Sequence, residues 1–145
     1  MKAIVIKDFK SKEELYEKGT IINIDVSLYH KLSLKGLVKP YLPHIQEEQI
    51  PMLTEEFKRM FNEFSDRIEK LPITASIIKE HYPEHYQKLR KLEEKMDEAW
   101  LTFERETFIE ALREIEEIMR YCFRRYSDEC ERPSFDELRG NKNDR

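Results

Sequence analysis

Between Gly36 and Gly140 this chain of 145 residues contains no glycine. The third glycine, Gly19, lies with Gly36 in the first 42 residues, so the backbone freedom that glycine supplies to turns is confined to the two ends. Prolines 40, 43 and 51 cluster in "KPYLPHIQEEQIP", which reads as a linker because proline stops both helix and sheet ladders. The expected division is a small β-rich module over 1–42, a Pro-rich linker over 43–52, a three-helix bundle over 53–132 and a polar tail over 133–145.

The second region is helical by period. In "TEEFKRMFNEFSDRIEKL", Phe57, Met60, Phe61, Phe64, Ile68 and Leu71 form one continuous apolar stripe. Thr54 is the expected N-cap, with Glu55 and Glu56 suiting the dipole of the first turn, and Pro72 ends the helix. "TASIIKEHY" reads as a short helix before Pro83. Beyond it, Tyr86, Leu89, Met96, Ala99 and Trp100 form one stripe, and Phe108, Ala111, Leu112, Ile115, Met119, Cys122, Phe123 and Tyr126 another. Their phases break around "LTFER", as in an antiparallel helix hairpin. That hairpin with the first long helix gives a three-helix bundle, the economical way to cover amphipathic faces.

In the first region "AIVIKDF" and "GTIINID" have the β-branched composition of strands, and the charged "KSKEELYEK" between them reads as a loop. Asp25 precedes "VSLYHKLSLKG", a short helix that Asp25 would cap and Gly36 would end, and "LVK" follows as a short strand. "MKAIVIKDF", then "LYEKGTIINID", then a helix ending in "KGLVK" resembles the small β-rich module of phage and mobile-element proteins associated with head assembly. The resemblance covers about 40 residues. It implies an SH3-like or barrel-like fold and brings no catalytic residue with it. The fold class expected for the whole is α+β, predominantly α.

Charge narrows the partners. Residues 1–42 hold eight lysines and five acidic residues, a net charge of +3, and residues 43–145 hold 18 basic and 25 acidic, a net charge of −7. Neither part is a strong polyanion binder by charge alone. Cys122 and Cys130 are the two cysteines, no signal-like apolar segment opens the chain, and no run approaches the length of a membrane span, so the expected setting is a reducing cytoplasm.

His81 and His85 in "KEHYPEHYQKL" have the spacing of a helical zinc pair, which makes a metal-dependent enzyme one reading. Pro83 between them argues otherwise. It suits the first turn of a helix and holds its predecessor extended, so His81 would precede the helix and His85 lie within it. Cys122 falls on the apolar stripe, where a free thiol acts as a small hydrophobe. Arg120, Arg124 and Arg125, interleaved with Tyr121, Phe123 and Tyr126, are the candidate nucleic-acid contacts, although arginines near a helix C-terminus also suit its dipole. No nucleophile elbow, phosphate loop or dinucleotide fingerprint is present.

These residues point to a non-enzymatic accessory or assembly protein without cofactor or metal, working through protein–protein contacts. Its expected interface is the stripe Phe57, Met60, Phe61, Phe64, Ile68 and Leu71, judged wider than one hairpin covers, with a homodimer as the simplest occupant. A nucleic-acid-binding accessory protein is the alternative.

Overall fold

A computed structural model describes residues 1–131, so the expected polar tail lies outside the described residues. The chain is α+β and mostly helical, a small antiparallel β region followed by long helices. Strands β1 (Lys2–Val5), β4 (Ile21–Asn23) and β5 (Val38–Pro40) form an open sheet in the order β4-β1-β5, and β2 (Phe9–Ser11) pairs with β3 (Glu14–Tyr16) as a separate hairpin. The register sets Ala3 opposite Ile22 and Pro40, and Ile4 opposite Ile21 and Lys39. Alternation then sends Ala3, Val5 and Val38 into a small core with Tyr29, over which Phe9 and Tyr16 stack at 4.8 Å.

The stretch expected as a charged loop is therefore a hairpin. Its strands are three residues each, too short to show alternation, and Lys12, not a glycine, takes the positive φ (57°) at the turn.

Helix α1 (Val26–Leu34) follows its sequence signals. The Asp25 carboxylate accepts from the Leu28 N–H (2.7 Å), and at the other end Gly36 adopts φ 71° while Gly36 and Leu37 N–H return to the carbonyls of Ser33 and Leu32. That is a Schellman closure, which needs a residue tolerant of the left-handed region. Asp25→Ala should cost about 1 kcal/mol, the usual loss for a side-chain N-cap, read as a shift in the denaturant midpoint.

Helix α2 (Ile50–Glu69) begins at Ile50, not after Thr54, and a 3-10 turn over Glu47–Gln49 leads into it. Pro51 falls in the first turn, where its missing N–H would have had no partner, so it starts the helix instead of breaking it. The Gln46 N–H donates to Gln49 Oε1 (3.1 Å), adding a local closure at the entry. Part of the expected linker is thus helical.

Helix α3 (Ala75–His81) is capped by Thr74, and α4 (Pro83–Leu101) and α5 (Arg105–Glu131) form the expected hairpin. Its turn does without glycine. Phe103 takes φ 53°, and Phe103 and Glu104 N–H close onto Trp100 and Ala99 carbonyls. The left-handed conformation costs an L-residue roughly 1–2 kcal/mol, offset here by the ring, which meets Phe57 edge-on at 5.5 Å.

The larger core gathers Phe57 and Phe64 of α2, Ile73, Ile78 of α3, Tyr82, Leu89 and Ala99 of α4, and Phe108, Leu112, Ile115 and Cys122 of α5. The two cores meet at the end of α4, where Leu101 packs on the β region's core and His30 Nε2 lies 2.7 Å from Asp97 Oδ2. Met1 N donates to the Ile24 carbonyl (2.7 Å) and lies 3.1 Å from Glu98 Oε1.

Candidate functional site

The apolar stripe on α2 faces inward. Phe57 and Phe64 are buried, and Met60, Phe61, Ile68 and Leu71 are half-buried against the same core. Phe57 lies 4.8 Å from Phe108, and Phe61 5.4 Å from Trp100, so both helices of the hairpin receive it. None of the six is among the exposed large apolar residues.

Exposed apolar surface lies mainly elsewhere. Leu34 is 89% exposed, Leu15 60% and Ile21 46%, joined by Ile6 and Leu28 in the β region or its helix, while on the helices Met52 at the start of α2 is 67% exposed and Ile109 and Tyr121 of α5 are exposed singly. Helical spacing groups Leu28 with Tyr29 and Leu32 yet Leu28 is exposed, Leu34 lies off that spacing, and Leu15 is placed by its pairing with Lys10, which the sequence alone does not show.

The histidines separate as Pro83 predicts. His81 closes α3, Tyr82 takes φ −134° and ψ 62°, Pro83 opens α4 and His85 stands in its first turn. Each ring meets a different tyrosine of α5, His81 with Tyr126 at 5.4 Å and His85 stacked on Tyr121 at 5.1 Å. Among the described residues no three metal-ligating side chains come together. Tyr82 is buried between them, its hydroxyl donating to Glu129 Oε2 (3.1 Å), and burial reinforced by that carboxylate pushes its pKa up to about 12. Burial likewise pushes the Cys122 thiol up, the opposite of what a nucleophile or metal ligand needs. The Cys130 side chain lies outside the described residues.

Two of the three candidate arginines have acidic partners. Arg120 Nε lies 3.0 Å from Glu116 Oε2, and Arg125 Nε donates to Glu129 Oε1 (3.3 Å) while its Nη1 donates to the Tyr121 hydroxyl (3.1 Å). Among the described residues, Arg124 Nε donates to the Arg120 carbonyl, at 3.5 Å, and meets no carboxylate.

Glu116 joins α2 to α5 by accepting from Arg67 Nε (2.7 Å) on one oxygen and from Arg120 on the other. The Arg67 hydrogen bond, supported by Arg120 and opposed by burial, holds its carboxyl below the usual glutamate range. A lowered folded pKa gives stability that is in place above the ordinary glutamate pKa and is lost as pH falls through the folded value. Glu116→Gln should cost about 0.5–1 kcal/mol at neutral pH, after screening, and nothing at low pH, so the two pH–stability curves should converge in acid.

A recess of 630 Å³ lies where the β region meets the α4–α5 turn, lined by Asn23, Tyr41, His44, Glu98, Thr102 and Phe103 among others. Among the described residues no charged side chain is buried, and no helix is long and apolar enough to cross a membrane. No family model, curated protein or solved structure matches the chain.

Proposed function

We propose that this chain is a non-enzymatic accessory or assembly protein of the phage or mobile-element type, acting through protein–protein contacts made by its β region. The observation that carries the reading is where apolar surface remains uncovered. Five of the eight exposed large apolar residues among the described ones, Leu15, Ile21 and Leu34 included, stand out of the smallest and most basic part of the molecule, while the stripe from Phe57 on α2 to Leu71 just beyond it packs inward. Apolar groups set among charged ones are what a protein contact uses, a desolvated centre inside a polar rim. The bundle is then the rigid support that presents the β region. An SH3-like character for that region and a reducing, cytoplasmic setting belong to the same proposal. The hairpin stacked through Phe9 and Tyr16 over the three-stranded sheet supports the first, and a buried free thiol at Cys122 suits the second.

The nucleic-acid reading keeps one observation in its favour, the Arg124 guanidinium without an acidic partner among the described residues. One group of that kind is a small footprint, since polyanion binding draws on a sustained basic surface.

Lysine-reactive cross-linking in the native host tests the choice. It should join the chain to protein through Lys10, Lys12, Lys18 or Lys35, independently of nuclease. The pair Leu15→Asp and Leu34→Asp should lower that yield about tenfold or more with the helical circular dichroism unchanged. Complexes that dissolve with nuclease and weaken on Arg124→Ala would establish the other reading, and cross-links confined to lysines of α2, α4 and α5 would overturn the placement on the β region.

A further inference from the structure

Edge strands expose unpaired main-chain groups, and proteins blunt them with charge, proline or bulges. The hairpin carries Lys10 on β2 and Glu14 on β3, and β5 carries Lys39 and Pro40. The β4 strand itself carries neither charge nor proline, and its one such device is a bulge just before it, where Gly19 (φ 92°) and Thr20 both oppose Val5. Its residues are Ile21, Ile22 and Asn23, between Thr20 and Ile24.

The direction of its free groups follows from the ladder. The Val5 N–H donates to the Thr20 carbonyl and the Ile24 N–H to the Met1 carbonyl, both at 2.9 Å, so Thr20, Ile22 and Ile24 turn their main chain toward β1. Antiparallel pairing alternates, and Ile21 and Asn23 therefore turn theirs outward.

We infer that β4 is a pairing edge for a second copy of this chain, joined antiparallel across a two-fold axis at Ile22. The inference deepens the protein-contact reading above and rests on it. In this register Ile21 faces Asn23 of the second copy, so the outward groups of each satisfy the other's, and Ile22 meets its own symmetry mate.

Both faces of the joined sheet are then compatible. One row reads Pro40, Ala3, Ile22 and continues as Ile22, Ala3, Pro40 of the second copy, apolar throughout. On the other face a row reads Lys39, Ile4, Ile21, then Asn23 and Lys2 of the second copy, with an apolar centre and no like charges opposed. Ile21, 46% exposed in the single chain, lies diagonal to its mate. A register about Ile22 that satisfies the outward hydrogen bonds of both copies and continues the apolar row from Ala3 and Ile22 into its own symmetry mate favours a second copy over a foreign strand.

Sedimentation of the full chain across concentration should show a monomer–dimer equilibrium. Asn23→Pro removes an outward N–H and leaves the β1 ladder whole, because proline is tolerated where the N–H faces solvent. It should weaken dimerisation about tenfold or more, and Ile21→Lys, which sets two lysines diagonal across the axis, should do the same if the first variant folds poorly. Hydrogen exchange gives an independent reading. The amides of Ile21 and Asn23 should slow about tenfold or more from dilute to concentrated protein, with that of Ile22 protected throughout. A monomer at every concentration, or a dimer indifferent to both folded variants, overturns the pairing. If the chain is monomeric while cross-links to foreign protein through the β region persist, the self-pairing falls and the protein-contact reading stands.

Discussion

Phe57→Ala is expected to remove about 3–5 kcal/mol of stability and lower the melting temperature by roughly 10–15 °C. Phe57 is fully buried and ties α2 to the hairpin, with Phe108 of α5 at 4.8 Å and Phe103 of the α4–α5 turn at 5.5 Å. Truncation loses the transfer free energy of the ring and leaves a void that a helix end and a tight turn cannot collapse to fill. It also takes away the contact that offsets the left-handed backbone of Phe103. Set against a total of about 5–15 kcal/mol for an ordinary domain, the loss is a large fraction. Calorimetry of the full chain checks it. A shift of only a few degrees would mean that α2 is held by its ion pairs, Arg67 to Glu116 and Arg105 to Glu56, more than by its aromatic face.

What could be read from the sequence, and what could not, divides along physical lines. Caps and stripes were legible because their signals are local. Asp25 and Gly36 bound α1, Cys122 lies on the buried side of α5, and Pro83 parts the two histidines. Periodicity says that a face of α2 is apolar, but not how many neighbours cover it. The stripe looked wider than one hairpin covers, and in the fold that hairpin does receive it, Phe57 against α5 and Phe61 against α4. The hairpin of β2 and β3 was missed because two three-residue strands cannot display a period and its turn uses Lys12 in place of glycine. The start of α2 was missed because proline marks the beginning of a helix as readily as its end. The free edge of β4 depends on which strands pair, and no short window of sequence holds that information.

Cutting the chain at the approach to α2 should separate a fragment that folds from one that does not. Residues 46–131 contain every buried residue of the larger core, from Phe57 to Cys122, and none of them comes from the β region. Their helices should keep a cooperative melt, reduced by about 1–2 kcal/mol where Leu101 loses its cover. Residues 1–45 stand differently. Their buried residues are Ala3, Val5, Val26, Tyr29 and Val38, and one of the side chains packed around the cluster that four of them form, Leu101, comes from α4. A chain of about 40 residues rarely stabilises itself without a disulfide, a metal or a partner, and this one has no cysteine within it. The first fragment should show a strongly helical, sigmoidal melt by circular dichroism, and the second a collapsed, undispersed amide spectrum by NMR. A non-cooperative melt of residues 46–131 would mean that the end of α4 needs the β region in order to fold. The contacts between His30 and Asp97 and around Leu101 would then be part of one common core instead of a junction between two.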